Sequence, residues 1–187
     1  MKYKIKTVVL AFLFFVLAFT YSIPASFSDK AVTIKKFKLA KKTPSGKLST
    51  SKTAGKTSSK WRELRLIFIS RPKWIDEVTV KYFARVKSKD GGRNLAGEIT
   101  YVNVPAGKAH LSSLFVHPTT LMRFGDIDAV HCEIWVKGKI RDMVDWPRKP
   151  QKKWWEMKAP MPGVLLTKFQ TPFAYEGDYA ALAIKAE

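Results

Sequence analysis

The stretch Glu77–Lys87, EVTVKYFARVK, decides the fold class of this protein. Its residues separate into an apolar set and a mostly polar set that alternate: Val78, Val80, Tyr82, Ala84 and Val86 against Thr79, Lys81, Phe83, Arg85 and Lys87. Because successive side chains of a β-strand point to opposite faces, this alternation predicts a strand with one buried face.

Short β-like segments continue on both sides of this strand. They are Glu63–Ser70 before it, and Glu98–Val104, Ala109–Val116, Asp126–Val136, Ile140–Val144, Gly163–Phe169 and Tyr179–Lys185 after it. Asp90-Gly91-Gly92 and Lys137-Gly138-Lys139 are turn signals because glycine adopts positive φ without a Cβ clash. The stretch His117–Phe124 fits one helical turn, with proline in its first turn and Gly125 closing it. Eight strands within residues 61–187 favour an all-β antiparallel β-sandwich, with a small barrel as the alternative.

Positive charge is concentrated before this region. The 187 residues carry 34 Lys+Arg and 15 Asp+Glu, a net charge of +19. Residues 30–60 hold ten lysines and no acid, so a flexible segment is predicted over 26–60. The lysines that form this electrostatic tail are Lys35, Lys36, Lys38, Lys41, Lys42, Lys47, Lys52, Lys56 and Lys60. Two interpretations stand: the tail captures an anionic polymer or lipid headgroups, or it is a solubilising linker.

Two further features of the tail concern nucleic-acid binding and local secondary structure. Phe37 is the only aromatic residue among these lysines, so platforms for stacking bases are missing and sequence-specific nucleic-acid binding is not expected. Residues 32–34 (Val-Thr-Ile) could form a short strand if a partner supplied an edge.

The N-terminus is typical of an export signal. Lys2, Lys4 and Lys6 precede the apolar run Val8–Phe19, whose twelve residues fit a signal peptide and fall short of the roughly 20 that span a bilayer. A signal peptide over residues 1–25 and a periplasmic or extracellular location are therefore predicted, with an uncleaved signal anchor as the alternative.

No catalytic constellation emerges from the sequence. His110, His117 and His131 do not form an HExxH pattern, and no P-loop, GxGxxG or GxSxG motif occurs. Cys132 is expected to be a small buried hydrophobe, with an exposed thiol that forms an intermolecular disulfide as the alternative. Asp126 and Asp128 could form a carboxylate pair, although acids two residues apart are common where a strand begins. The prediction is a protein that is not an enzyme and that holds no cofactor or metal.

A segment rich in tryptophan and lysine is the main candidate binding surface. Its members are Trp146, Arg148, Lys149, Lys152, Lys153, Trp154 and Trp155. Rings beside cations can stack on sugars or peptide side chains and pair with acidic groups. The alternative is that Trp154 or Trp155 closes one end of the sandwich as part of the core.

Several segments together resemble a known group of proteins. The export signal, the basic stretch, WIDEV, DGG, GEITYVNVPAG, LFVHPTTLMRFGD, the Trp-Trp pair and TPFA look like exported immunoglobulin-like proteins associated with type IV pilus genes in some Gram-negative bacteria. The resemblance implies an immunoglobulin-like periplasmic sandwich that works in envelope or pilus assembly, and it supplies no catalytic residues. The chain lacks the paired cysteines of antibody-type domains.

Two functions follow as expectations. The first is a non-catalytic interaction module of the cell envelope that binds an envelope or pilus protein through a sheet edge or the Trp-rich segment. The second is a polyanion- or carbohydrate-binding protein that uses the lysine tail and the Trp/Lys loop.

Overall fold

The computed structural model describes residues 31–44, 60–71, 73–87, 92–147, 153–174 and 182–185; the predicted signal peptide lies outside them. The strands are β1 (Val32–Lys42), β2 (Trp61–Ser70), β3 (Ile75–Val86), β4 (Arg93–Val104), β5 (Ala109–Val116), β6 (Ile127–Val136), β7 (Lys139–Trp146), β8 (Leu165–Thr167) and β9 (Ala183–Ile184). The helices are α1 (Pro118–Phe124), α2 (Trp154–Met157) and a 3₁₀ helix, Lys168–Gln170.

These strands form two antiparallel sheets, so the predicted sandwich is confirmed. One sheet has the order β1-β2-β5-β8 and the other the order β7-β6-β3-β4-β9. The spatial order β1-β2-β5 in the first sheet matches the order A-B-E of immunoglobulin-type sandwiches, and β7-β6-β3 in the second sheet matches G-F-C. In immunoglobulin-type sandwiches strand D pairs with strand E. In this protein the corresponding neighbour of β5 is β8, from the C-terminal part of the chain.

The core lies between the sheets and consists of the predicted faces. All five apolar residues of the β3 set are buried, as are Leu64, Leu66 and Phe68 of β2 and alternate residues of β6 from Val130 to Val136. Burying such a side chain contributes about 1.5–3 kcal/mol, which makes this face the main source of stability. The predicted helix is also confirmed, over Pro118–Phe124 with His117 as its N-cap, and Gly125 closes it with φ 91° and an N–H that donates to the Leu121 carbonyl.

The predicted flexible segment over 26–60 is wrong for residues 32–42, which form β1 along the whole length of β2. Phe37 pairs with Leu66 and Leu39 with Leu64, and β1 places four side chains in or against the core: Val32, Ile34, Phe37 and Leu39. The apolar alternation is present in this stretch, but lysines occupy its other positions. The domain therefore begins near residue 31 rather than at Trp61. The lysine-rich residues 43–60 connect β1 to β2, and Lys47, Lys52 and Lys56 lie outside the described residues.

The C-terminal strands are shorter than predicted. Gly163–Phe169 was expected to be one strand, but only Leu165–Thr167 pairs, and the chain then turns into the 3₁₀ helix. The Thr167 N–H donates to Gln170 Oε1 at 2.8 Å, a local bond that replaces continued strand pairing. The turn carries Phe173 into a second buried cluster with Trp61 and Phe115. Of the predicted strand Tyr179–Lys185, only Ala183–Ile184 pairs, and residues 179–181 lie outside the described residues.

The two lateral sides of the sandwich differ. On the sealed side, where β4 and β5 would be edges, β8 pairs with β5, β9 pairs with β4, and Met161 exchanges backbone hydrogen bonds with Asn94 and Ala96. On the open side, β1 and β7 end their sheets. A side chain bridges these two strands: Asp142 Oδ2 accepts from the Ile34 N–H at 2.8 Å.

Candidate functional site

The Trp-rich segment packs on the outer face of the five-stranded sheet. Trp154 is buried, 8% exposed, and the Arg85 guanidinium lies 5.5 Å from its ring centroid. Asn94 Nδ2 donates to the carbonyls of Trp154 and Lys158 at 3.0 and 3.3 Å, which fixes α2 against β4. Of the predicted binding residues, Trp154 therefore has a packing role in this structure.

Trp155 stacks on His131, which lies on β6 on the same outer face. The ring centroids are 3.6 Å apart and the planes differ by 5°. His131 Nδ1 lies 2.7 Å from Asp145 Oδ1, and its Nε2 lies 3.2 Å from Glu133 Oε1. These contacts fix the orientation of a ring that is itself fully buried.

Of the remaining predicted residues of this segment, the structure describes Trp146 and Lys153. Trp146, at the end of β7, is 38% exposed. Lys153 is exposed and its Nζ donates to Glu156 Oε1 at 3.0 Å. Arg148, Lys149 and Lys152 lie outside the described residues.

A groove adjoins the Trp155 contact on the same sheet face. It has a volume of about 530 Å³, and its lining includes Thr79 and Lys81 of β3, Glu98 of β4, Trp135 of β6, Asp76 and Lys137. The Lys81 Nζ lies 4.6 Å from the Trp135 ring centroid and 3.7 Å from Glu98 Oε2. Trp135 Nε1 donates to Glu133 Oε2 at 2.7 Å, so Glu133 joins the groove to His131 and Trp155.

The sequence prediction missed this groove. Its residues come from three strands and are brought together by the register, in which Lys81 pairs with both Glu133 and Glu98. The signal available in the sequence was Trp135 itself, a large aromatic residue on the face of β6 opposite the apolar set.

The described lysines of the predicted tail lie mainly on β1. Lys35, Lys36, Lys38 and Lys41 are exposed on this edge strand, and Lys60 directly precedes β2. The Lys42 ammonium lies 4.5 Å from the Phe173 ring centroid, over the second buried cluster.

The residues considered for chemistry have structural partners. Cys132 is fully buried, and burial raises the pKa of its thiol well above the usual value, which leaves it unreactive. Asp126 and Asp128 form separate ion pairs, with Arg62 and Arg85. His110 Nε2 contacts Ser70 Oγ and the Pro105 carbonyl, and His117 caps α1.

Over the ranges that the structure covers, no three histidine, cysteine or acidic side chains gather as metal ligands would. Within the same ranges, no helix has the length and apolar character to cross a membrane.

Comparisons with known proteins identify relatives of the whole domain. A crystal structure of a protein from Akkermansia muciniphila matches with a TM-score of 0.64 and 22% identity, over 83% of this chain and 93% of that one, and thus shares the fold. No curated protein matches significantly. A protein-family model matches residues 24–185, a range that includes β1. The chain belongs to the family that this model defines.

Proposed function

We propose that this protein is a non-catalytic, exported interaction module of the cell envelope that works in type IV pilus assembly or function. Its partner, an envelope or pilus protein, binds at β7. The resemblance noted in the sequence supports the pilus role. The export signal in the sequence supports the envelope location.

The observation that carries the proposal is the exposed apolar surface of β7, an edge strand. Ile140 is 45%, Met143 60% and Trp146 38% exposed. An unpaired edge strand with exposed apolar side chains tends to pair with other chains or aggregate. A partner protein can bury these side chains by adding a strand to the edge or by packing its own side chains on it.

A photo-crosslinking experiment tests this surface. A photoreactive phenylalanine analogue replaces Met143 in the full chain in cells, and Phe169, which is 68% exposed elsewhere on the domain, is replaced as the matched control. The proposal predicts a crosslink to a pilus-machinery or envelope protein from position 143 and none to that protein from position 169. Equal yields at the two positions, or no crosslink at 143, would contradict it.

The lysines of β1 favour polyanion binding as a second candidate. Lys36 and Lys38 are exposed, and Lys38 pairs in register with Arg65, so cations line this part of the four-stranded sheet. The double variant Lys36→Gln/Lys38→Gln should weaken heparin binding and reduce its salt dependence. Deletion of residues 30–60 would be a poor test because it removes β1. Unchanged salt dependence in the double variant would count against this candidate.

A further inference from the structure

The groove beside Trp135 has the size and the chemistry of a ligand site, and it does not depend on the proposed role of β7. Its volume of about 530 Å³ falls within the roughly 300–1,000 Å³ of small-molecule sites. Trp135 is partly exposed, so its indole is available to a ligand at the groove.

We propose that this groove binds a neutral oligosaccharide. Its polar lining contains both signs of charge: the carboxylates of Asp76, Glu77 and Glu98 accept hydrogen bonds, and the ammonium groups of Lys81 and Lys137 donate them. Sugar hydroxyls both donate and accept, so they can bond to every one of these groups. The apolar C–H face of a sugar ring can pack on the indole.

The same lining disfavours charged ligands. A polyanion would meet the three carboxylates and a polycation the two ammonium groups, so part of the lining repels either kind of ligand. Three of these groups are already compensated, since Lys185 Nζ bonds to Glu77 Oε1 at 2.7 Å and Lys81 pairs with Glu98. A ligand without net charge leaves those pairs intact.

The indole is held in place before any ligand arrives. The hydrogen bond from Trp135 to Glu133 is continued by the contact of Glu133 with His131, and Trp155 stacks on His131. A site fixed by such supporting contacts loses little conformational freedom on binding, which favours affinity. This gives the stacked Trp155 a positioning role at the groove.

The test is NMR titration of the full mature chain with short oligomers that differ in charge. The probes are chitotriose and cellotriose as neutral saccharides, trigalacturonate as an anionic one, a chitosan trimer as a cationic one, and triglycine as a zwitterion. The expected result is saturable movement of the Trp135 indole N–H resonance with a neutral saccharide, and at least tenfold weaker binding of the other three. No shift with either neutral saccharide, or tighter binding of a charged or zwitterionic probe, overturns the proposal.

Variants locate the binding. Trp135→Ala should weaken neutral-saccharide binding at least tenfold and Lys81→Met about threefold, while Phe169→Ala, which changes an exposed aromatic residue outside the groove, should leave it unchanged. Thermal melts establish that each variant is folded. If Trp135→Ala does not fold, the Lys81→Met variant and the wild-type titration test the proposal. Equal losses in the groove variants and in Phe169→Ala would overturn the assignment.

Discussion

The sealed and open sides of the sandwich are held together by different kinds of contact. On the sealed side, Gly97 of β4 lets the backbone approach β8 so closely that an added Cβ would lie 2.8 Å from Leu165 Cβ. On the open side, the carboxylate of Asp142 reaches from β7 to the Ile34 N–H of β1. Apolar close packing contributes more free energy than a partly exposed polar contact. The difference indicates that the sealed side supplies stability and leaves the open side available for a partner.

The largest expected effect is that of Trp154→Ala, which removes a buried indole from the segment leading to Met161 on the sealed side. Loss of a buried tryptophan costs about 3–5 kcal/mol in the free energy of unfolding. Urea unfolding measures it, with Trp146→Ala as the control, since Trp146 lies on the open side and is exposed. Similar losses in the two variants would contradict the assignment of stability to the sealed side.

Gly97→Ala should have the next largest effect. Its Cβ would meet Leu165 Cβ and, at 3.0 Å, Leu114 Cδ1, so either the backbone or both leucines must shift. Such overpacking costs about 1–3 kcal/mol. Gly92→Ala is the matched control, because the nearest atom to its Cβ would be 3.4 Å away, and a change within about 0.5 kcal/mol is expected. A neutral Gly97→Ala would show that β4 and β8 are not tightly apposed.

Asp142→Ala tests the open side and should cost less. The carboxylate accepts from the Ile34 N–H and from the Met143 N–H, at 2.8 and 3.1 Å. A typical hydrogen bond contributes about 0.5–1.5 kcal/mol, and Asp142→Asn, which keeps one acceptor oxygen, should lose less than Asp142→Ala. The alanine variant also uncovers two edge amides, so light scattering should detect increased self-association. A loss as large as that of Trp154→Ala would mean that the open side is a main source of stability.

The sequence predicted the strands whose two faces differ most. In β3 and β6, one face is almost wholly apolar, and the alternation is visible without any knowledge of neighbours. The sequence-based prediction failed for β1, because an edge strand buries only part of one face and lysines alternate with Phe37 and Leu39. It also could not place Trp154 and Trp155, since a four-residue helix has no periodicity of its own. The groove depends on cross-strand register, which juxtaposes Lys81, Glu98 and Trp135 from positions far apart in the chain.

The smallest expected effect concerns pH and the ion pair between Arg62 and Asp126, which links β2 to the start of β6. Partial burial opposes ionisation of Asp126, but hydrogen bonds from Arg62 and the Ile127 N–H, together with the charges of Arg62 and Lys41, hold the pKa of its carboxyl below the usual 3.8. The pair therefore stabilises the fold above about pH 3.8, and this contribution is lost as the pH falls through the lower pKa of the folded state. Because the Asp126 side chain is 58% exposed, solvent screens the pair and the loss should stay below about 1 kcal/mol.

Urea unfolding of wild type and Asp126→Asn between pH 2 and 6 tests this ion pair. The free energies of unfolding of the two proteins should converge at low pH and separate above pH 4, and Arg62→Gln should behave like Asp126→Asn. If the stability curves of wild type and Asp126→Asn stayed parallel at all pH values, the ion pair between Arg62 and Asp126 would contribute nothing to the contact between β2 and the start of β6.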